Sequence, residues 1–313
     1  MPARPFRFGV QTEAVASAEG WQEQVRRAEA LGYATLCTGD HLHTHLGPIA
    51  ALAAAASVTT ALRLGCAVFA NDFRHPVLLA KEAASIDVLS GGRFELGLGT
   101  GYWRADYDQS GLPFDPPGTR VTRLTEAVQL LKQAFAQDNL TFDGATYHVR
   151  DFTLVPRPVQ RPRPSLLIGG GSRRILTLAG RESDIVGINV RTTPNGDFDW
   201  DSLTPEATAQ KIAWVREAAG ERFTDLELHW LVPFVAITDA PHDAAAAMLG
   251  AWGVTDRVDV EQFLTSPHVL IGTEEAIVAA VQERRDRYGV SYLSVFAYAM
   301  ETFAPIVARL QGT

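Results

Sequence analysis

The chain has 313 residues and a formal net charge of −8, with 46% apolar and 20% charged residues. That length suits one elaborated β/α barrel, although length alone also admits two domains. The acidic residues are spread along the chain, which argues against nucleic acid or an anionic membrane as the main partner and fits general solubility.

Strand-like and helix-like segments alternate from the start. Residues 6–12 read as a strand, and 20–31 as an amphipathic helix with Trp21, Val25, Ala28 and Leu31 on one face. A short strand at 35–38 and an alanine-rich helix at 48–62 follow. Next come a strand at 64–70 and a helix at 76–89 that starts on Pro76. Residues 94–98 are again strand-like, and a longer connection, 100–118, leads to a helix at 120–137. The pattern then changes. Residues 140–152 carry Phe142-Asp143-Gly144 between β-prone residues and read as a hairpin or an irregular excursion, and 155–164 is proline-rich. Alternation resumes at once, so this stretch is an insertion in a barrel and not a domain boundary. Strands at 166–169 and 185–189 flank a helix at 173–180, and a loop with Pro194, Gly196 and Pro205 leads into a helix at 206–219. Residues 228–237 form a strand, and 244–249 begin a helix. After a second irregular insertion through Pro267 come a helix at 274–288, a strand at 292–296 and a closing helix at 299–310.

Eight strand candidates separated by helices predict a parallel (β/α)8 TIM barrel. The expectation is one domain over 1–313, with rim insertions at about 100–118, 138–165, 192–205 and 248–272. An open doubly wound sheet shares the alternation but usually places a glycine fingerprint directly after its first strand. Here that position reads Gln11-Thr12-Glu13-Ala14-Val15. The two cysteines, Cys37 and Cys66, lie in separate apolar runs and form neither a disulfide framework nor a metal clamp, so buried packing is expected for both. No signal peptide precedes the first strand and no apolar run approaches the ~18 residues that span a bilayer, so a cytoplasmic protein with no membrane partner is expected.

In a parallel barrel the strand C-termini and the loops after them build the active site. After the second strand comes Gly39-Asp40-His41-Leu42-His43-Thr44-His45. A carboxylate beside a histidine at such a rim orients and tunes a general acid or base, which makes Asp40 and His41 catalytic candidates. His43 and His45 read as solvated loop residues. Alternating histidines also suit a metal site, but Asn71, Tyr102 and Asn189 at other strand ends are poor ligands and no metal is expected.

Asn71, after the third strand, offers both donor and acceptor to the edge of a heterocycle, while Phe73-Arg74-His75-Pro76 reads as the turn leading into a helix. After the fourth strand, Gly99-Thr100-Gly101-Tyr102-Trp103 lets backbone approach a flat ligand, with Tyr102 or Trp103 as a wall; core packing is equally open for Trp103. After the fifth, Gly169-Gly170-Gly171-Ser172-Arg173-Arg174 opens a helix. Backbone N–H groups, the helix dipole, a hydroxyl and two arginines there suit phosphate. Asn189 and Arg191, past the sixth strand, lie on the same side. The set fits a phosphorylated planar cofactor better than a hydrolytic site, and no activated serine or cysteine falls at these rims.

Several runs of these residues resemble the luciferase-like monooxygenase superfamily. They are Leu-Ser-Gly-Gly-Arg-Phe-Glu-Leu-Gly-Leu-Gly-Thr-Gly at 89–101, Asp40-His41-Leu42, residues 71–76, and Ile-Gly-Gly-Gly at 168–171. Gly-Leu-Pro-Phe-Asp-Pro-Pro-Gly at 111–118, residues 179–187 and Met-Glu-Thr-Phe-Ala-Pro at 300–305 make the chain most similar to the coenzyme F420-dependent oxidoreductases within it. The resemblance runs essentially end to end and is more specific for the superfamily than for the cofactor. It implies a bacterial-luciferase-like barrel with insertions, a bound deazaflavin (F420) or alternatively FMN, and commonly a homodimer. It also implies that Asp40 and His41 face the reactive ring and substrate, that a non-prolyl cis peptide falls at or near Ala67–Val68, and that phosphate contacts fall on Gly170, Gly171 and their neighbours. One departure stands out. Sugar-phosphate dehydrogenases of this kind carry a glutamate where this chain has Tyr102, so their substrate chemistry does not transfer, although Tyr102 stays a candidate proton donor.

The expected activity is F420-dependent hydride transfer to or from a small organic substrate. The alternatives are an FMNH2-dependent monooxygenase served by a partner flavin reductase, and a non-catalytic cofactor-binding barrel. The substrate is set by the rim segments, whose aromatics Trp103, Phe114, Trp200 and Trp252 favour an apolar or aromatic molecule.

Overall fold

The computed structural model describes residues 4–43, 46–193 and 196–313. His45 and Pro194, named above, lie outside them.

The strands are β1 (Arg7–Gln11), β2 (Thr35–Thr38), β3 (Arg63–Cys66), β4 (Phe69–Ala70), β5 (Phe94–Gly99), β6 (Leu140–Asp143) and β7 (His148–Phe152). They continue with β8 (Ser165–Gly170), β9 (Ile185–Ile188), β10 (Glu227–Val232), β11 (Phe234–Ile237), β12 (Val269–Gly272) and β13 (Val290–Phe296). The main sheet runs β3-β2-β1-β13-β10-β9-β8-β5-β4 with parallel pairing, and β3 also pairs with β5, which closes the ring. Because β3 and β4 are two pieces of one stave, the nine strands make an eight-stave barrel.

The helices are α1 (Ala18–Ala30), α2 (Pro48–Val58), α3 (Pro76–Leu89), α4 (Arg104–Ser110), α5 (Pro117–Ala136) and α6 (Arg173–Glu182). After them come α7 (Pro205–Ala219), α8 (Pro241–Trp252), α9 (Val260–Thr265), α10 (Glu274–Tyr288) and α11 (Met300–Leu310). Staves covered by helices outside and packed side chains inside are buried on both faces, which is why β8 and β9 read as nearly continuous apolar runs. Helix starts are equally local. The Ser17 hydroxyl accepts from Gly20 N at 3.1 Å, and α1 then buries Trp21, Val25 and Ala28, the face its periodicity predicts. Pro76 opens α3 where its missing N–H has no partner to lose, and a His75 ring nitrogen accepts from Val77 N at 3.2 Å.

Three segments depart from the sequence reading. The strand expected at 64–70 is interrupted at Ala67–Val68, whose peptide bond is cis. The strand expected at 228–237 breaks at Pro233, which has no N–H to give a ladder. Beyond it β11 leaves the ring and pairs with β12, so this rim insertion begins at 233 and not at 248. The excursion carries a small core of its own, with Phe234, Leu249, Phe263 and Val269 buried together. Finally, the connection at 100–118 contains α4, and the following helix starts at Pro117.

The N-terminal end of the barrel is closed by charge. Arg7 pairs with both Glu95 and Glu227 and lies 3.9 Å over the Tyr292 ring, while Arg63 Nε reaches Glu95 at 2.6 Å. The two arginines hold the Glu95 carboxyl below the ordinary carboxylate range despite its burial. Both cysteines are buried and free, and burial pushes the Cys37 thiol up to about 12. Among the described residues, no helix is long and apolar enough to cross a membrane.

Candidate active site

At the opposite end, residues at or just past the C-termini of all eight staves enclose a cavity of about 730 Å³. Of the residues singled out from sequence, Asp40, His41, Ala67, Val68, Gly99, Thr100 and Tyr102 line it. So do Gly169, Gly170, Gly171, Ser172, Asn189 and Arg191. Asn71 and Arg173 do not. A short 3-10 turn buries Asn71 and aims its amide at the Tyr147 hydroxyl, 3.0 Å away. The Arg173 guanidinium is exposed and lies 3.4 Å from Glu217.

The wall on β5, β8 and β9 is built of glycine because nothing larger fits. A Cβ on Gly99 would stand 2.4 Å from Val68 Cγ2, and one on Gly170 would stand 2.3 Å from Ile175 Cγ2. On Gly171 it would fall 2.7 Å from the backbone of Val190 and Arg191. The result is a smooth floor at β5 and β8 running into the N-terminus of α6. Ser172, the residue capping α6, makes no side-chain capping bond, so its hydroxyl is not spent on the helix. Backbone N–H groups at a helix N-terminus, a hydroxyl and Arg191 beside it suit a phosphate, and the glycine floor suits a flat ring. The donor set therefore fits a phosphorylated planar cofactor.

Across the ring from β9 stands His41, after β2. Its partner is not Asp40. The Asp40 carboxylate turns away to Arg74, at 2.5 and 2.9 Å, and accepts from Ala70 N at 2.9 Å, tying the β2 and β3 loops together. His41 Nδ1 instead meets Asp106 Oδ2 at 2.7 Å. Asp106, on α4 and only 2% exposed, also accepts from Leu42 N at 3.0 Å and lies 3.4 Å from His43 Nδ1. These side chains do not assemble into a metal-binding group among the described residues. Tyr102 and Trp103 pack edge-on against the His41 ring at 5.5 and 5.2 Å. Although Tyr102 is 39% exposed, crowding by its neighbours and then the Asp106 charge raise its phenol pKa, so it carries its proton at neutral pH.

Sequence reading missed three residues here. Asp106 sits alone in a short helix with no motif around it. His229 lines the cavity from β10, with Nε2 2.9 Å from the Ser294 hydroxyl, and burial drives its pKa down to about 3, so it is neutral. Its signal was the strand period of two that places His229 and Leu231 on one side. Lys211 lies behind the cavity, donating to the Asn189 and Ser202 carbonyls at 2.9 and 2.8 Å. Burial, then the nearby Arg191, lowers it to about 8. Its signal was a lysine in the buried stripe Thr208-Lys211-Ile212-Val215 of α7.

A family model for luciferase-like monooxygenases matches residues 4–289. The chain belongs to this family. One curated relative is the FMNH(2)-dependent dimethylsulfone monooxygenase of Pseudomonas putida, 38% identical over 109 residues, which are 35% of this chain and 30% of that protein. Another is the F420-dependent glucose-6-phosphate dehydrogenase of Intrasporangium calvum, 32% identical over 168 residues, half of each chain. The chain thus spans half or less of the length of these two relatives. Among solved structures, the coenzyme F420-dependent tetrahydromethanopterin reductase of Methanopyrus kandleri superposes with a TM-score of 0.78 at 17% identity, over 98% of both chains. Monooxygenase RslO1 of Streptomyces bottropensis superposes with a TM-score of 0.76 at 22% identity, over 97% of this chain and 99% of that one. Proteins with the same barrel thus include both a coenzyme F420-dependent reductase and a monooxygenase, and the fold is shared at identities too low to carry more.

Proposed function

We propose that this chain is a flavin-type oxidoreductase that uses coenzyme F420, with reduced FMN as the alternative, and transfers a hydride to or from a small organic substrate. The observation that carries this reading is the position of the His41–Asp106 pair across the cavity from a glycine floor that ends in a helix N-terminus. The relatives named for F420 and for FMNH(2) support the cofactor class. When bound, the cofactor supplies a ring that accepts or donates the hydride.

Gly170, Gly171 and Ser172 would hold its phosphate, with Arg191 alongside, and Gly99, Ala67 and Val68 would back its ring. Asp106 fixes the His41 ring through Nδ1, and His41 would move the accompanying proton. Asp40 acts at one remove, pinning Arg74 and the backbone at Ala70 so that the loop keeps its shape. Tyr102, protonated at neutral pH, is a second donor beside His41. A homodimer of single-domain chains in the cytoplasm completes the reading.

Anaerobic titrations of F420 and FMN, read by cofactor fluorescence, test it. Saturable and tighter F420 binding is expected. Clearly tighter FMN binding would replace the F420 reading with the reduced-FMN monooxygenase fed by a partner reductase, and binding of neither cofactor would end both.

A further inference from the structure

The half of the cavity that the glycine floor and α6 do not form is chemically different. It is built after β9, β10 and β13, chiefly by the excursion that leaves the barrel at Pro233. Phe198 and Trp252 lie there as a parallel pair, ring centroids 5.6 Å apart and planes 18° apart. Phe234 meets the Trp252 ring edge-on at 5.6 Å, and Trp200 does so at 5.9 Å. Phe234 is anchored in turn on Phe263 at 4.9 Å, inside the small core of the excursion. The pair is therefore held rigidly from behind. Trp252 nevertheless remains 52% exposed while lining the cavity, an expensive way to leave an indole unless something covers it.

On the β10 and β13 part of this wall the polar groups are already used, while after β9 the Thr193 hydroxyl is buried without a partner. The Tyr298 hydroxyl donates to the Pro233 carbonyl at 3.0 Å and accepts from Val235 N at 3.1 Å. Among the described residues that line the cavity from Leu231 to Trp252 and at Phe296, no side chain is ionisable. With Arg191 paired to Asp199 and set beside the cofactor phosphate, a charged ligand would lose water against this stretch and gain no partner there. Glu13 stands at the same rim, close enough to Tyr298 to add to the rise that burial causes in its phenol pKa, and it repels anions. Strand order fixes what this wall faces. In the ring, β2 and β9 are four staves apart in either direction, so the β2 end that carries His41 and the β9 end lie across the cavity, and the loop after β9 reaches back over it to lie against the Tyr102 backbone at Gly196.

We infer that the substrate is a neutral, flat, largely apolar molecule held against Phe198 and Trp252 with its reacting carbon toward His41. This deepens the proposed function and rests on it, because the glycine-floored half must be taken by the cofactor for this half to be the substrate's. Sugar phosphates and carboxylates are excluded by the same wall.

The test uses the full chain loaded with whichever cofactor binds in the titration above, with 2-naphthol as the probe and 2-naphthoate and glucose 6-phosphate as its charged counterparts. Binding is followed by tryptophan fluorescence and checked by calorimetry. Saturable 2-naphthol binding is expected, at least about tenfold tighter than either anion, and Trp252→Ala is expected to weaken it about tenfold. Trp252→Phe, which keeps a ring and the packing, is expected to restore most of the affinity. Cofactor binding in all three proteins shows that the variants are folded. Cofactor binding with no preference for 2-naphthol, or with equal affinity in Trp252→Ala, overturns this inference and leaves the proposed function standing. Failure of both cofactors to bind overturns the two together.

Discussion

The two ends of this barrel solve opposite problems with the same eight staves. At the N-terminal end, Arg7, Arg63, Glu95 and Glu227 pair with one another and with the face of Tyr292. At the C-terminal end, glycines clear a floor, Ser172 withholds its hydroxyl from its own helix, and His41 is held ready by Asp106. One end packs its charged pairs into a closed plug, and the other sets pairs such as His41–Asp106 and Asp40–Arg74 around an open cavity. The contrast teaches that burial of charge is not by itself a mark of function in this fold. What separates the ends is whether the buried pairs stand beside a cavity that a ligand can enter.

Five substitutions probe that contrast. The largest effect is expected at His41. His41→Ala should lower turnover by roughly two to four orders of magnitude while leaving cofactor affinity nearly intact. Equal loss of both would recast His41 as a binding or structural residue. At the other end, Glu95→Ala leaves two arginines without their shared carboxylate and should cost about 3 kcal/mol of stability in denaturant unfolding, with cofactor binding unaffected below the transition. The pH sign follows from Glu95's lowered pKa. Its stabilisation is complete above the ordinary carboxylate pKa of about 4.3 and is lost as pH falls and the group takes a proton. The gap between wild type and variant should therefore be full at neutral pH and narrow below about pH 4; a gap that widens on acidification would refute the assignment.

Smaller effects are expected at the rim. Gly171→Ala pushes a methyl to 2.7 Å from the Arg191 backbone and should weaken cofactor binding by about tenfold, with a lesser change in melting temperature. The finest distinction is between the two aspartates. Asp106→Asn should lower turnover by about tenfold with cofactor affinity unchanged, because it weakens the contact that orients His41. Asp40→Asn should lower stability by loosening Arg74 and leave turnover near that of the wild type. If Asp40→Asn lowered turnover and Asp106→Asn did not, adjacency in sequence would have been the better guide after all.

That pair also shows how far the residues alone could be read. The eight staves were legible because doubly buried parallel strands are short apolar runs between helices with good starting signals, such as Pro76 and the Ser17 cap. Glycines at 169–171 were legible because backbone freedom at a strand end has few other uses. Asp106 was not, because it lies 65 residues from His41 in a seven-residue helix whose existence depends on packing and not on periodicity. Asp40 was overvalued for a related reason. Successive side chains on a chain leaving a strand diverge, so although both residues line the cavity the Asp40 carboxylate is taken by Arg74 and Ala70 N while the His41 ring goes to Asp106. Asn71 followed the same logic, turned by one tight bend onto Tyr147. The break at Pro233 had a visible cause, a proline inside an apolar run, and the run's length concealed it.

The excursion that begins at Pro233 has a consequence for how such a barrel changes over generations. Phe234, Met248, Ala251 and Trp252 all reach the cavity from a segment that departs at one stave, folds about its own small core and returns after Gly272. Neither His41 nor Gly169–Ser172 depends on that core for its place. Under the proposed function, drift in this one cassette would change which molecule is admitted while His41 and the glycine rim keep their places. Grafting the cassette from one barrel to another is the corresponding experiment in the laboratory.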